Sequence, residues 1–184
     1  REIGLVGQLF DRDRDVVQVS LAPGLARWLG CAHVASLVEC MDRHFHVNRL
    51  GGVDLAMTLD LADLATQSLR DWRAIGFNRL GINIAAIAGA DANGVDMDVL
   101  PQLLDPVRGT GFGNLRIELP YGHADQSCKA FAEVVAAVIA AAPERIGLRH
   151  CPPRTAGVVD ATSEHARHAR MLLTGADALM RAGY

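Results

Sequence analysis

Residues 74–84 read Ala74-Ile75-Gly76-Phe77-Asn78-Arg79-Leu80-Gly81-Ile82-Asn83-Ile84. An apolar helix tail runs into a glycine, and an alternating strand follows and ends on a lone asparagine. Gly76 is a typical residue just past a helix end, because without a Cβ it enters the left-handed region at no steric cost. The segment Gly109-Thr110-Gly111-Phe112-Gly113-Asn114-Leu115-Arg116-Ile117 repeats the arrangement. One helix-to-strand unit is therefore used twice, and that repetition points to a βα fold.

Working outward, the same alternation holds along the chain. Strands are expected over 16–20, 53–59, 78–84, 114–119 and 144–149, each a short apolar run bounded by turn residues. Amphipathic helices are expected over 32–45, 61–75, 96–108, 125–142 and 162–181, with Thr162 or Ser163 capping the last. The stretch 88–94, rich in Gly, Ala, Asp and Asn, reads as a loop. Arg1-Glu2-Ile3 reads as the interior of a helix already under way. The order αβαβαβαβαβα predicts an α/β fold with a parallel sheet and right-handed crossovers. A partial parallel (βα) barrel of about five strands, in one domain over 1–184, fits best. A doubly wound open sheet competes, but no Gly-x-Gly-x-x-Gly follows the first strand.

Composition narrows the function classes. Half of the 184 residues are apolar and the net charge is −3. The basic residues are scattered, which argues against a nucleic-acid footprint. No apolar run reaches the roughly 18 residues of a membrane span. Cys31, Cys40, Cys128 and Cys151 lie 9, 88 and 23 residues apart, which matches no zinc or iron–sulfur spacing. Reduced thiols in a cytoplasmic protein are expected.

Parallel βα folds bind ligands at the carboxyl ends of their strands. Those ends carry Thr58 and Asp60, then Asn83, then Glu118 with Tyr121, then His150 with Cys151. Together they would form a polar ring. Asn83 reads equally as a loop cap, Cys151 as a thiol before a proline turn, and His123 as a solvated loop residue. His165 and His168, three apart, read as a solvated helix face, and His44 and His46 as helix-end cations.

At this point a resemblance enters. Leu69-Arg70-Asp71-Trp72-Arg73-Ala74-Ile75-Gly76-Phe77-Asn78-Arg79-Leu80, the stretch from Gly111 to Gly122, and the stretch from Lys129 to Ile146 are similar to segments of the oxygen-independent coproporphyrinogen III oxidases. These are radical-SAM enzymes of haem biosynthesis, and their haem-chaperone relatives share the segments. The resemblance implies a radical-SAM-type partial barrel in which Gly76 ends a helix and Phe77 packs beneath the sheet. The family uses a [4Fe–4S] cluster and S-adenosylmethionine. Its Cys-x-x-x-Cys-x-x-Cys motif has no counterpart here. Its Gly-Gly-Gly-Thr-Pro-Thr falls at Leu21–Ala26, its S-adenosylmethionine-binding Glu at Thr58, and its Gln at Ala85. The Asp of its later strand becomes Glu118.

The leading expectation is accordingly a coproporphyrinogen-oxidase-like protein linked to haem or tetrapyrrole metabolism. It would lack the family's first strand, a cluster and radical chemistry of its own, so whether it is an enzyme stays open. Two alternatives stand beside it. One is a haem or porphyrin binder that uses His150, Cys151 and Tyr121. The other is a metal-dependent βα lyase or hydrolase that uses Glu118, Asp60 and a histidine. The strand at 16–20 would be left with an open edge, and inward apolar residues Val17, Val19 and Leu55 would be exposed. The amphipathic segment at 3–10 could cover part of that gap. A homodimer, or a complex with a catalytic relative, is expected.

Overall fold

In the computed structural model, residues 1–10, 15–22, 24–47, 52–64, 68–84, 100–123, 126–151 and 161–184 are described. In order they form α1 (Glu2–Gly7), β1 (Asp15–Val16), β2 (Gln18–Leu21), α2 (Leu25–His44), β3 (His46–Val47) and β4 (Asp54–Asp60). A single 3-10 turn (Leu61–Asp63) leads to α3 (Leu69–Ile75), β5 (Arg79–Asn83), α4 (Leu100–Arg108) and β6 (Asn114–Tyr121). Then come α5 (Cys128–Ala140), β7 (Arg145–His150) and α6 (Ala161–Arg181). Five strands form one parallel sheet in the order β2-β4-β5-β6-β7, each crossover carrying helix. The expected α/β architecture with about five parallel strands is borne out. Among the described residues, no helix is long and apolar enough to cross a membrane.

Several boundaries differ, each for a local reason. The strand expected at 16–20 divides at Val17, which is 75% exposed. On one side β1 pairs with β3 in a separate two-stranded sheet, and on the other β2 joins the main sheet. The carbonyl of Val17 accepts the Asp54 N–H across this break. Helix α2 begins at Leu25, earlier than expected, but it kinks at Gly30 (φ 69°, ψ 165°), a backbone conformation few other residues reach. Helix α6 begins at Ala161, so Thr162 and Ser163 lie inside its first turn and do not cap it. Ser127 does cap α5, its hydroxyl accepting the Ala130 N–H. The loop expected at 88–94 lies outside the described residues, as does Ala85.

The segment 74–84 behaves as framework. Gly76 closes α3 with φ 115°. Phe77 is fully buried and stands edge-on to Trp72 at 5.7 Å. Asn78 spans to the neighbouring strand, its Oδ1 accepting the Leu55 N–H and its Nδ2 donating to the Val53 carbonyl. Arg73 donates to the Phe77 carbonyl and lies over the Phe112 ring, tying the two repeated units together. Each buried side chain of this size contributes about 1.5–3 kcal/mol relative to exposure.

The strand period sorts side chains onto two unlike faces. Leu55, Met57 and Leu59 of β4, Leu80 and Ile82 of β5, and Leu115, Ile117 and Leu119 of β6 are all at most 3% exposed. They form the helix-covered face. Most of the intervening residues, Asp54, Thr58, Asp60, Arg79, Asn83, Asn114, Arg116 and Glu118, are polar and partly accessible. Of the inward apolar residues expected to be exposed, only Val17 is, at the strand break. The expectation is corrected for the other two. Leu55 is 2% exposed on the helix side, Val19 packs against the core, and the open face carries charge instead. Helix α1 packs on the end of α2, where Gly4 and Gly7 make room for the His44 ring. None of its residues is buried, so it does not form the expected apolar cover.

Candidate functional site

The open face of the sheet is a groove lined by alternate residues of all five strands. Gln18 and Ser20 come from β2, Thr58 from β4, Arg79 and Gly81 from β5, Asn114, Arg116 and Glu118 from β6, and Arg145 from β7. Toward the carboxyl ends, Thr58, Asn83, Arg116, Glu118 and Arg149 line a hollow of about 320 Å³. Two glycines make the surface. A Cβ on Gly81 would stand 2.8 Å from the Thr58 hydroxyl oxygen. A Cβ on Gly147 would stand 2.7 Å from both Arg116 Nη2 and Glu118 Oε2. The glycines thus let their neighbours' side chains lie across them.

Each carboxylate of the face is already engaged. Arg116 Nε lies 2.5 Å from Glu118 Oε1. Arg79 Nη2 lies 2.7 Å from Asp54 Oδ2. Asn83 Nδ2 donates to Asp60 Oδ1 at 2.9 Å, and Asn83 Oδ1 accepts from Arg149 Nη2 at 3.2 Å. The lone strand-end asparagine is therefore a bridge between an acid and a base on this face. Arg149 has a neutral partner, and Arg145 has none among the described residues.

Of the residues singled out from sequence, Thr58, Asp60, Asn83 and Glu118 share the groove. Tyr121 and His150 do not. They fall on the opposite parity, on the helix side, where Tyr121 is 8% exposed and its ring centroid lies 6.0 Å from that of Phe131 and 5.2 Å from that of His150, which itself stays exposed. His150 Nε2 lies 3.0 Å from His168 Nδ1. Arg167 Nη2 approaches His168 Nε2 at 3.1 Å. A guanidinium only donates, so His168 accepts there and donates through Nδ1 to His150. His168 is thus a buried core residue, not part of a solvated face. Burial, then Arg167 and His150, hold its imidazole below the ordinary value. His123 also departs from expectation, since its Nε2 is buried without a hydrogen-bond partner among the described residues. Cys151 follows β7 and its N–H donates to the Tyr121 carbonyl.

The groove arginines escape a reading centred on strand ends. Their signal is nonetheless in the sequence, since Arg116 stands two residues before Glu118, and Arg145 and Arg149 are spaced by an even number along one strand.

The cofactors implied by the resemblance do not fit the described residues. Cys31 and Cys40 sit on α2, Cys128 opens α5 and Cys151 follows β7. Partial burial, with Asp71 nearby, raises the Cys31 thiol and disfavours the thiolate that ligates metal. Among the described residues no three Cys, His, Asp or Glu side chains are grouped to hold a metal.

No protein-family model matches the chain. The oxygen-independent coproporphyrinogen III oxidase of Salmonella typhimurium is 26% identical over 140 residues, 74% of this chain and 30% of the enzyme. That of Pseudomonas aeruginosa is 22% identical over 161 residues, 84% of this chain and 35% of the enzyme. The chain spans about a third of the curated relatives it matches. The solved structure of coproporphyrinogen III oxidase from Escherichia coli, a radical SAM enzyme, superposes over 100% of this chain and 44% of its own, with a TM-score of 0.75 and 22% identity. The resemblance read from the segments around Gly76 and Glu118 is borne out: the chain is similar in sequence to the oxygen-independent coproporphyrinogen III oxidases and carries the fold of a radical-SAM member of that family.

Proposed function

We infer that this chain serves haem or tetrapyrrole metabolism as a coproporphyrinogen-oxidase-like protein without radical chemistry of its own, binding a tetrapyrrole on its open face. The observation that supports the reading most is the divergence between framework and site. The 74–84 segment keeps its structural contacts, while Thr58 stands at the position where the family places a cofactor carboxylate. The thiols are spread over α2, the start of α5 and the end of β7, and a cluster needs several converging thiolates before it supplies an electron. What remains is a polar surface suited to a ligand with carboxylate side chains.

Anaerobic reconstitution with iron and sulfide tests the first half of the reading. The expected product is colourless and leaves S-adenosylmethionine intact. A stoichiometric iron–sulfur chromophore with cleavage of S-adenosylmethionine would defeat it. Coproporphyrin titration, followed by fluorescence quenching, tests the second half, with saturable binding expected. Strand β2 lies at the sheet edge, and edge strands offer unpaired backbone groups to a partner. The chain accordingly acts as a homodimer or beside a catalytic relative. Light scattering across a concentration series checks this, and a mass fixed at the monomer with no partner retained would contradict it.

A further inference from the structure

Arg116 and Arg145 are direct neighbours in the register between β6 and β7, and both line the groove. Like charges placed opposite each other on adjacent strands are destabilising. Glu118 offsets Arg116 from the same strand. Nothing among the described residues offsets Arg145. Arg149 stands on the same face of β7, roughly 13 Å further along, held by the neutral oxygen of Asn83. The groove thus keeps two guanidinium groups without a carboxylate partner, while Asp54, Asp60 and Glu118 each have one. A guanidinium is the donor best matched to a carboxylate, giving two parallel charge-assisted hydrogen bonds.

We propose that Arg116 and Arg145 form an oxyanion subsite, with Arg149 as a second contact, that commits the groove to a polycarboxylate ligand. The subsite deepens the tetrapyrrole reading and rests on it only for the identity of the ligand. The ligand-free protein carries the Arg116–Arg145 repulsion, and a bound carboxylate relieves it. Gly147 contributes by letting the Arg116 and Glu118 side chains lie across it.

Thermal unfolding of the full chain tests the proposal, with citrate as probe at matched ionic strength. Citrate should raise the wild-type midpoint and leave that of Arg145→Glu unmoved. Without citrate, Arg145→Glu should melt about 1–4 °C above wild type, because the introduced carboxylate would pair with Arg116. Arg145→Gln, which removes the charge without supplying a partner, should also lose the citrate effect. An equal citrate shift in all three proteins overturns the subsite, as does a lower midpoint for Arg145→Glu. Coproporphyrin separates the two readings. Binding weakened at least tenfold by Arg145→Glu supports both. Citrate binding without porphyrin binding keeps the subsite and removes the tetrapyrrole. Equal porphyrin affinity in wild type and variant keeps the tetrapyrrole and removes the subsite.

Discussion

The two faces of the main sheet are built from the same strands by alternation, yet they obey different rules. On the helix-covered face, Leu55, Met57, Leu80, Ile82 and Ile117 are sealed by helices, with the Trp72–Phe77 pair among them. Packing there is dense, and each side chain is held by many neighbours. On the groove face, the side chains are long, charged and partly wet, and they hold one another in short chains such as Asp60–Asn83–Arg149. Parallel sheets are ordinarily covered on both faces. An uncovered polar face on such a sheet therefore marks where this fold meets something else. Stability resides on the helix-covered side of the sheet, and the proposed recognition on the other.

The sharpest way to break that comparison is to cut equally into both sides. Phe77→Ala should cost about 3–5 kcal/mol, because the ring is fully buried and its loss leaves a cavity. A chemical-denaturation midpoint measures it, and a loss below about 1 kcal/mol would mean that the helix face is loosely packed.

Glycine substitutions give a smaller, paired test. Gly122 has φ 93°, and a Cβ there would stand 2.9 Å from the His150 ring. Gly122→Ala should cost about 1–3 kcal/mol through strain and crowding in a packed corner. Gly147→Ala meets the free ends of Arg116 and Glu118, which can swing aside. It should change stability by less than about 0.5 kcal/mol, as surface changes commonly do, while displacing the Arg116–Glu118 pair. Equal losses in the two variants would erase the distinction between the faces.

Acid probes the helix face through His168. Its imidazole is held low by burial, Arg167 and His150, with Glu164 opposing them and His165 adding to them. The folded protein therefore resists a proton that the unfolded chain accepts near pH 6.5. Between that pH and the lower folded value, the unfolded state binds more protons. The contribution of this group to stability is complete above about pH 6.5 and falls as pH drops toward the folded value. His168→Asn should flatten that part of the pH profile in thermal melts, and an unchanged slope would remove His168 as its source.

A modest loss is expected at Asn83→Ala. It removes the bridge between Asp60 and Arg149 on an accessible surface, and it should cost less than about 1 kcal/mol. A larger loss in a denaturation curve would give the groove a structural role.

Composition and period alone were enough for much of this molecule. The helix-strand alternation, the glycine stop at Gly76 and the parallel order of the main strands all follow from local rules that act over a few residues. Placement of the candidate site was legible only in part. Thr58, Asp60, Asn83 and Glu118 could be named from their strand ends, and they do share one face. Tyr121 and His150 look equivalent to them in sequence, but parity turns them to the helix side of the sheet. A shift of one residue reverses a side chain's face, and only the register between strands settles it. The pairing of His150 with His168 and the adjacency of Arg116 and Arg145 join residues 18 and 29 positions apart. Contacts of that range depend on how the crossovers dock, and no local pattern encodes them. The sequence by itself determined that there would be a parallel βα sheet with a polar rim. The tertiary structure decided which charges face each other across it, because electrostatic neighbours are set by strand register and not by distance along the chain.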